Sequence, residues 1–417
     1  MFAIRADHTF DGEDFRAGGA TVLVEDGRIV GVESAAYELP AECELVDHGN
    51  ATVLPGLIET HVHLVGDSGA MALERVPGNS PEQIKAVVTE ALRRQLAAGV
   101  TTVRDLGDWH FNVVQRRDAQ RQVDDRLPWI VASGPPITIR GGHCGFLGGE
   151  VSGASEIVAA ERERAERHVD VVKVMARGGM MTAGTDVFVP QFSIEELWLL
   201  VEQSHAAGLP VTAHAHAAAA VDQAVAVGVD GIEHATYLVR LADGPGPGGR
   251  PATHATDEQL AALAASGIPV GPTLGGFTTK LMGAASPGIR QRLADAGITP
   301  EALVEMRMSI LRQMTTFGLG FISGADAGIG PAKAHGRYAE AVIELGPVTG
   351  TVPALVAASS GAAVAIGLGR SKGRLHRGYD ADVLVVGGNL AADPAVLQDV
   401  RQVVLRGRPM PPPSGLS

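Results

Sequence analysis

The sequence predicts an α/β protein, a (β/α)8 TIM-type barrel with a small β-sandwich domain formed by the N- and C-terminal segments. Three observations predict it. From about Val53 onward, short runs rich in β-branched residues alternate with longer stretches of Ala, Glu, Leu and Arg, the pattern of repeated βα units. Eight such runs can be counted, and eight strands over about 310 residues suit a barrel with insertions. Before and after this region the chain reads as short strands and turns, and because barrel termini lie near one another the two ends can pair into one sheet domain. The expected division is residues 1–53 plus 371–417 for the small domain and 54–370 for the barrel.

Taken in order, Thr21–Val24 and Arg28–Val32 flank Asp26-Gly27, the strongest short hairpin signal. The eight barrel strands are expected at Val53–His63, Val100–Leu106, Trp129–Ser133, Val171–Ala176, Pro210–His216, Gly231–Ala235, Ile268–Thr273 and Gly318–Gly324. Helices are expected between them at Pro81–Ala98, Ser155–His168, Ser193–Ala207, Ala217–Val227, Thr256–Ala265 and Pro300–Phe317. The Gly- and Pro-rich insertion Ala242–Pro251 is expected to be neither helix nor strand. Strand character returns at Ala381–Val386 and Val400–Arg406, ahead of a Pro-rich tail. An open doubly wound sheet is the alternative, but it normally carries a Gly-rich phosphate fingerprint after its first strand, and none stands here.

Composition excludes several classes of function. The 417 residues include 47 acidic and 34 basic side chains, a net charge of -13, with 45% hydrophobic content. Such a chain can fill a large core, and its negative balance repels phosphate backbones. Two cysteines, Cys43 and Cys144, build neither a disulfide scaffold nor a four-Cys zinc site, so reduced thiols in a cytoplasmic protein are expected. Asp7 and the lack of a long apolar run argue against a secretory signal, and no stretch approaches the roughly 20 apolar residues of a membrane span. The expected partners are a small-molecule substrate and further copies of the chain, with no nucleic acid and no membrane.

The 14 histidines matter by position. His61 and His63 end the first strand, His214 and His216 the fifth, and His234 the sixth; Asp326 follows the eighth and Lys173 lies on the fourth. Residues two apart on a strand point the same way about 6.6 Å apart, so His61 and His63 can converge on one ion. All these groups fall at strand carboxyl ends, which in a barrel form one face where active sites lie. Singly, each has a bland reading: a hydrogen-bonded core His, a helix-capping Asp, a Lys reaching for solvent. Together they point to a metal centre. Lys173 sits in the apolar run Val171-Val-Lys-Val-Met-Ala, where an ammonium beside metal cations is strongly unfavourable. A neutral amine can instead add carbon dioxide and become a carbamate, an anion able to bridge two cations.

The segments Leu54-Pro-Gly-Leu-Ile-Glu-Thr-His61-Val-His63, Val172-Lys173-Val-Met-Ala-Arg-Gly-Gly, Thr212-Ala-His214-Ala-His216, Ile232-Glu-His234 and Ser323-Gly-Ala-Asp326-Ala-Gly resemble the amidohydrolase superfamily. They most resemble its binuclear-metal amidases and Xaa-Pro or Xaa-Arg (prolidase-like) dipeptidases, and Gly378-Tyr-Asp-Ala-Asp-Val-Leu-Val resembles part of the family's small β-sandwich. The resemblance implies that His61 and His63 bind one metal ion, His214 and His234 a second, carboxylated Lys173 bridges them, and Asp326 completes the first site. It implies two divalent ions, expected to be zinc although manganese, cobalt and iron suit the same ligands. Asp326 would move a proton from water to the leaving amine, while His216 and His143 hydrogen-bond the carbonyl or intermediate, or else orient the ligands. The superfamily's mononuclear deaminases and imidazolonepropionase-like enzymes place a Glu where His216 stands and lack the bridging Lys, which favours hydrolysis of an amide, carbamate, urea or ester.

The substrate is less legible. A dipeptidase needs an anchor for a terminal carboxylate, for which Arg177, Arg140, Arg240 and Tyr237 are the candidates. Met180, Met181, Phe188, Tyr237 and Phe277 are equally suited to an apolar pocket and to surface packing. The rivals are a hydrolase of an aryl carbamate, phenylurea or acylated aromatic amine, and, remotely, a silent metal-binding scaffold. His8, His48, His110, His168, His205, His254 and His376 are expected to be structural or solvated, with His335 held in reserve because it follows the eighth strand.

Overall fold

Gly56 divides the first expected strand in two, and the division organises the architecture. The structure is a computed structural model and describes residues 1–123, 125–179, 182, 186–241, 250–276 and 299–411. Ala51–Pro55 pairs antiparallel with Val383–Gly387, whereas Leu57–Val62 pairs parallel with Val100–Asp105. The single run Val53–His63 is thereby corrected to two strands in different sheets. A Cβ at position 56 would overlap the Thr101 side chain, so the chain can pass from one sheet to the other there only without one.

The two ends of the chain build two sheets. One runs in the order Arg28–Ser34, Ala20–Glu25, Phe2–Ala6 and Glu44–Asp47; the other runs Arg408–Pro409, Val400–Leu405, Val383–Gly387, Ala51–Pro55, His8–Phe10 and Phe15–Arg16. The expected hairpin turns at Asp26 and Gly27, with φ of 47° and 78°, the left-handed pair that matches strand twist. Ile4, Val22, Ile29, Val53, Val383 and Val404 bury a common apolar cluster drawn from both ends.

The central strands are all parallel. Leu57–Val62, Val100–Asp105 and Trp129–Ala132 form one ladder, and Val172–Met175, Val211–Ala217, Gly231–Leu241 and Val270–Gly271 form another. Asp170 N donates to Ala132 O at 2.9 Å, and parallel bridges join Ile137 to Val174, Val270 to Phe321 and Val62 to Ala327. The expected eighth strand, Gly318–Gly324, is corrected to the single bridge at Phe321. Gly320 O and Ile322 N still bond Val270, but beyond them Ser323 N donates to Ala357 O, while Ser323 O accepts from Thr60 N and from the Thr60 and Tyr338 hydroxyls.

Three of the expected helices start on capping boxes. Ser80 with Gln83, Ser193 with Glu196, and Thr256 with Gln259 cap Pro81–Ala97, Ile194–Ala206 and Asp257–Ser266. Gly153–Glu166, Ala218–Val227 and Pro300–Thr316 lie within two residues of expectation at each end. Ala242–Gly249 of the expected insertion lies outside the described residues, but Arg250 and Pro251 begin a short strand, Arg250–Thr253, antiparallel to Leu238–Leu241. That corrects the expectation for these two positions: Pro cannot donate to a ladder, and a strand with one paired side tolerates it. Among the described residues no helix is long and apolar enough to cross a membrane, and both cysteines are free.

Replacing Gly56 with Ala is expected to lower stability by about 1–3 kcal/mol through overpacking against Thr101. Denaturant unfolding reads this directly, and Thr101→Ala in the same background should recover part of the loss; an unchanged midpoint contradicts it.

Candidate metal centre

The site begins with the alternation of Leu57–Val62. Glu59, His61 and His63 share one face, and all three are buried. Parallel pairing aligns Met175, His214 and Glu233 in one row and Lys173 with Thr212 in the row below, so these side chains also face a common interior. His234 comes next to Glu233 and by alternation belongs on the other face. Its φ of 73° breaks the alternation and turns its ring inward. Asp326, with φ of 61°, reaches the same place by the same device.

The histidines gather tightly. Ring centroids of His214 and His234 lie 4.5 Å apart, His61 and His234 5.5 Å, His61 and His63 5.4 Å, and His143 and His214 4.8 Å. His216 stacks on His234 at 4.1 Å. Two sets of ligand atoms lie within 4.8 Å of one another, His214 with His216 and His234, and His61 with His234 and Asp326. Sharing His234, the two sets are adjacent. His216, expected to face the substrate carbonyl, is thus also placed as the third imidazole of the second set.

Hydrogen bonds orient the rings. His61 Nδ1 meets Glu233 Oε2 at 2.9 Å and His63 Nδ1 meets Gly107 O at 3.4 Å. Both partners only accept, so each Nδ1 carries the proton and each Nε2 presents a lone pair. These Nε2 atoms lie 3.4 and 3.1 Å from Asp326 Oδ1. His234 Nδ1 meets Thr273 Oγ1, His216 Nδ1 meets Thr236 Oγ1 and His143 Nδ1 meets Thr182 Oγ1.

The electrostatics favour neutral rings around anions. Burial and the Lys173 charge take His61 down to about 4, and burial with the Arg177 charge takes His143 to about 3. Burial drives His214, His216 and His234 well below the usual value, the neighbouring imidazoles and buried cations adding to it. Burial alone would raise Asp326, but His61 and His63 hold its carboxyl below the usual range. Neutral ring lone pairs and a carboxylate oxygen converge where nothing but a cation satisfies all three. His214 Nε2 and Lys173 Nζ, both buried, have no hydrogen-bond partner among the described residues. Burial lowers Lys173 to about 8 against the pull of Glu233 and Asp326, which leaves an appreciable neutral fraction near neutrality. The donor set fits divalent ions held by imidazole and carboxylate.

Several participants escaped the sequence reading. Glu233 accepts from Arg104 Nη2 at 2.8 Å and from the Thr212 hydroxyl at 2.7 Å besides holding His61. Burial would raise it, yet Arg104 and His61 hold it below the carboxylate range. Glu59 accepts from Ala325 N at 3.2 Å, and Lys333 Nζ donates to Thr273 O and Ala325 O, both at 2.7 Å, so the turn before Asp326 is gripped from two sides. Glu59 had one available signal, its parity with His61 and His63. Glu233 had none, since its neighbour His234 occupies the face that alternation denies it. His335 bonds Gly66 O through Nε2 and Gln95 through Nδ1, a supporting place rather than one among the converging rings.

The expected substrate contacts divide. Arg177 is buried, and its charge acts on His143, His214 and His216. Tyr237 is buried with its hydroxyl unpartnered among the described residues. Arg140 is exposed and paired with Glu156, and Arg240 pairs with Asp186 and lies over the Phe188 ring. Met180, Met181 and Phe277 lie outside the described residues.

Residues 52–410 match the amidohydrolase family. Ochratoxinase from Aspergillus niger is 25% identical over 94% of this chain and 82% of its own. A Xaa-Pro dipeptidase structure with bound methionine superposes at a TM-score of 0.83 with 23% identity, covering 98% of this chain and 99% of that one. Phenylurea hydrolase B superposes at 0.76 with 21% identity, covering 98% and 97%.

Glu233→Gln is expected to weaken divalent-ion retention by about 10- to 100-fold, because an amide cannot accept from Arg104, Thr212 and His61 together. Competition with a chelator followed by metal analysis checks this; retention equal to the parent contradicts it.

Proposed function

The chain belongs to the amidohydrolase family and is a metal-dependent hydrolase of carbon–nitrogen bonds, and we propose that it cleaves an amide or peptide-like bond as a binuclear, prolidase-like enzyme. The observation that carries this reading is Lys173: a buried amine with no hydrogen-bond partner among the described residues, whose charge acts on His61, His214 and His234. A lysine kept for structure would hold an acceptor there. Carbon dioxide adding to the neutral amine forms an N–C bond and releases a proton, and the resulting carbamate supplies an anion to the His214, His216 and His234 set, which has none of its own.

His61, His63 and Asp326 would hold one ion, His214 and His234 the other, with carboxylated Lys173 shared and zinc the expected metal. When bound, the ions supply Lewis acidity that acidifies water and polarises the scissile carbonyl. Asp326 accepts the proton of the attacking water and delivers it to the leaving amine. Its position is set by Asp326 N donating to His61 O at 2.9 Å. His216 and His143, beside His214, orient the carbonyl oxygen and the negative charge that develops on it. The burial of His61, His63, His143, Lys173, His214, His234 and Asp326 limits bulk water and strengthens their interactions. The same reading takes the succession of parallel ladders and bridges as a closed (β/α)8 barrel spanning 54–370. It takes the two terminal sheets with their shared apolar core as the small β-sandwich of 1–53 plus 371–417.

Lys173→Ala is expected to lose at least one ion per chain and nearly all turnover on an amide panel. Fewer than two ions in an active chain, with no loss in Lys173→Ala, contradicts the binuclear reading. Metal-stripped protein should regain activity only with both metal and bicarbonate. The rate of recovery should climb as pH rises through about 8, since the neutral Lys173 amine is the reactive form and its fraction grows in that direction. Recovery independent of bicarbonate, or faster at lower pH, counts against the carbamate.

A further inference from the structure

We propose that Lys333 is a positioning residue for the reaction: its one ammonium sets the Asp326 carboxylate through Ala325 and the His234 imidazole through Thr273, and so keeps both sets of ligands in register. The catalytic part rests on the C–N hydrolase reading above; the effect on metal retention does not.

Lys333 arrives on a short loop that returns toward the eighth strand end. Gly328 N donates to Lys333 O at 2.7 Å and Lys333 N to Gly330 O at 3.0 Å, which closes the loop on itself. Its start is pinned to the first strand end, where His63 N donates to Ala327 O at 2.8 Å and Ser68 N to Gly328 O at 3.2 Å. Gly328 has a φ of 106°, and a Cβ there would overlap His63 O, so only glycine lets the loop run this close to His63. The strand that carries His61 and His63 therefore also sets where Lys333 begins.

The ammonium then joins two backbone groups. Lys333 Nζ donates to Thr273 O and to Ala325 O, both at 2.7 Å. Two carbonyl oxygens brought to one point repel each other, and an ammonium, with three donors and a full charge, satisfies both. An apolar side chain of similar length would leave both unpaired.

Each carbonyl leads to a ligand. The peptide between Ala325 and Asp326 is held at its nitrogen by His61 O and at its oxygen by Lys333, so the left-handed turn that aims Asp326 is gripped at both ends of one peptide. Thr273, a β-branched residue with φ of 48°, places Oγ1 2.8 Å from His234 Nδ1. Without the ammonium both strained turns can relax, and Asp326 and His234 move with them. Asp326 has to take a proton from water and pass it to the leaving amine, a step that depends on its direction, whereas substrate binding does not call on Lys333.

The experiment compares the parent, Lys333→Met, Lys333→Arg, Thr273→Val and the double variant Lys333→Met with Thr273→Val. Each is loaded with cobalt(II), whose visible spectrum reports ligand geometry, and is then followed by chelator competition, thermal melting and turnover on an amide panel. Lys333→Met should alter the cobalt spectrum and weaken ion retention by about 10- to 100-fold, the range for groups that orient metal ligands. On amides it should lower kcat with KM little changed, and Lys333→Arg should restore part of each loss. In the Thr273→Val background the retention lost through Lys333→Met should be smaller than in the parent, because the hydroxyl that links Lys333 to His234 is gone. Should Lys333→Met not fold, Lys333→Gln carries the same comparison. An unchanged spectrum and retention with melting intact, a loss confined to KM, or strictly additive losses in the double variant overturns the proposal. A changed spectrum and weakened retention where even the parent turns over no amide supports the positioning of the ligands; in that case the hydrolase reading alone falls.

Discussion

A carboxylate sealed from water and satisfied from three directions holds the centre together. Glu233 takes donors from Arg104, Thr212 and His61, and Arg104 in turn donates through Nε to Thr60 O at 2.7 Å. Those bonds tie four separate strands to one point. Breaking a buried pair of this kind by removing one partner costs about 3–5 kcal/mol, which explains why the strand ends cannot drift independently. Because Arg104 balances Glu233, the pair adds no net charge beneath Lys173. A lone carboxylate there would hold the lysine as ammonium, and a lone guanidinium would leave the core with an unpaired cation. The pair orients His61.

Backbone conformation supplies what side-chain alternation cannot. A strand offers every second residue to the interior, and a centre this dense needs Glu233 and His234 as neighbours on one face. Left-handed φ at His234, Ala235 and Tyr237 achieves this, and Asp326 and Thr273 use the same region. Each such residue costs on the order of 1–3 kcal/mol, a cost borne by surroundings that over-determine it. Those surroundings are identifiable: Thr273 Oγ1 bonds His234, Lys333 grips Thr273 O and Ala325 O, and Glu59 holds Ala325 N. Burial raises Glu59 to about 8, so near neutrality this side chain is largely an uncharged acid and adds little negative charge beside Asp326. The same left-handed turns carry Gly231–Leu241 beyond the parallel ladder to pair with Arg250–Thr253.

Relatives that share this architecture carry names as different as dipeptidase, ochratoxinase and phenylurea hydrolase. In this chain the carboxylate, imidazole and lysine side chains at the strand ends are held by the core itself.

Much of this was legible in one dimension, for a definite reason. Parallel strands buried on both faces demand apolar β-branched runs, helices announce themselves by capping boxes, and chemistry at strand ends puts His61, His63, Lys173, His214, His234 and Asp326 at predictable places. Local rules of this kind are written in local sequence. The break at Gly56, the shortening of the expected eighth strand and the inward turn of His234 were not, because each depends on a group distant along the chain: Thr101, Ala357 and Thr273. The same holds for the choice among arginines. By sequence Arg140, Arg177 and Arg240 were equivalent; in three dimensions Glu156 and Asp186 pair with two of them at the surface, and Arg177 is buried with no ion pair among the described residues. Sequence alone determined which residue types could do the chemistry, since side-chain chemistry and strand parity travel with the chain. Tertiary structure alone decided which of them share an interior and which are neutralised before they reach it, because desolvation and pairing are properties of neighbours in space.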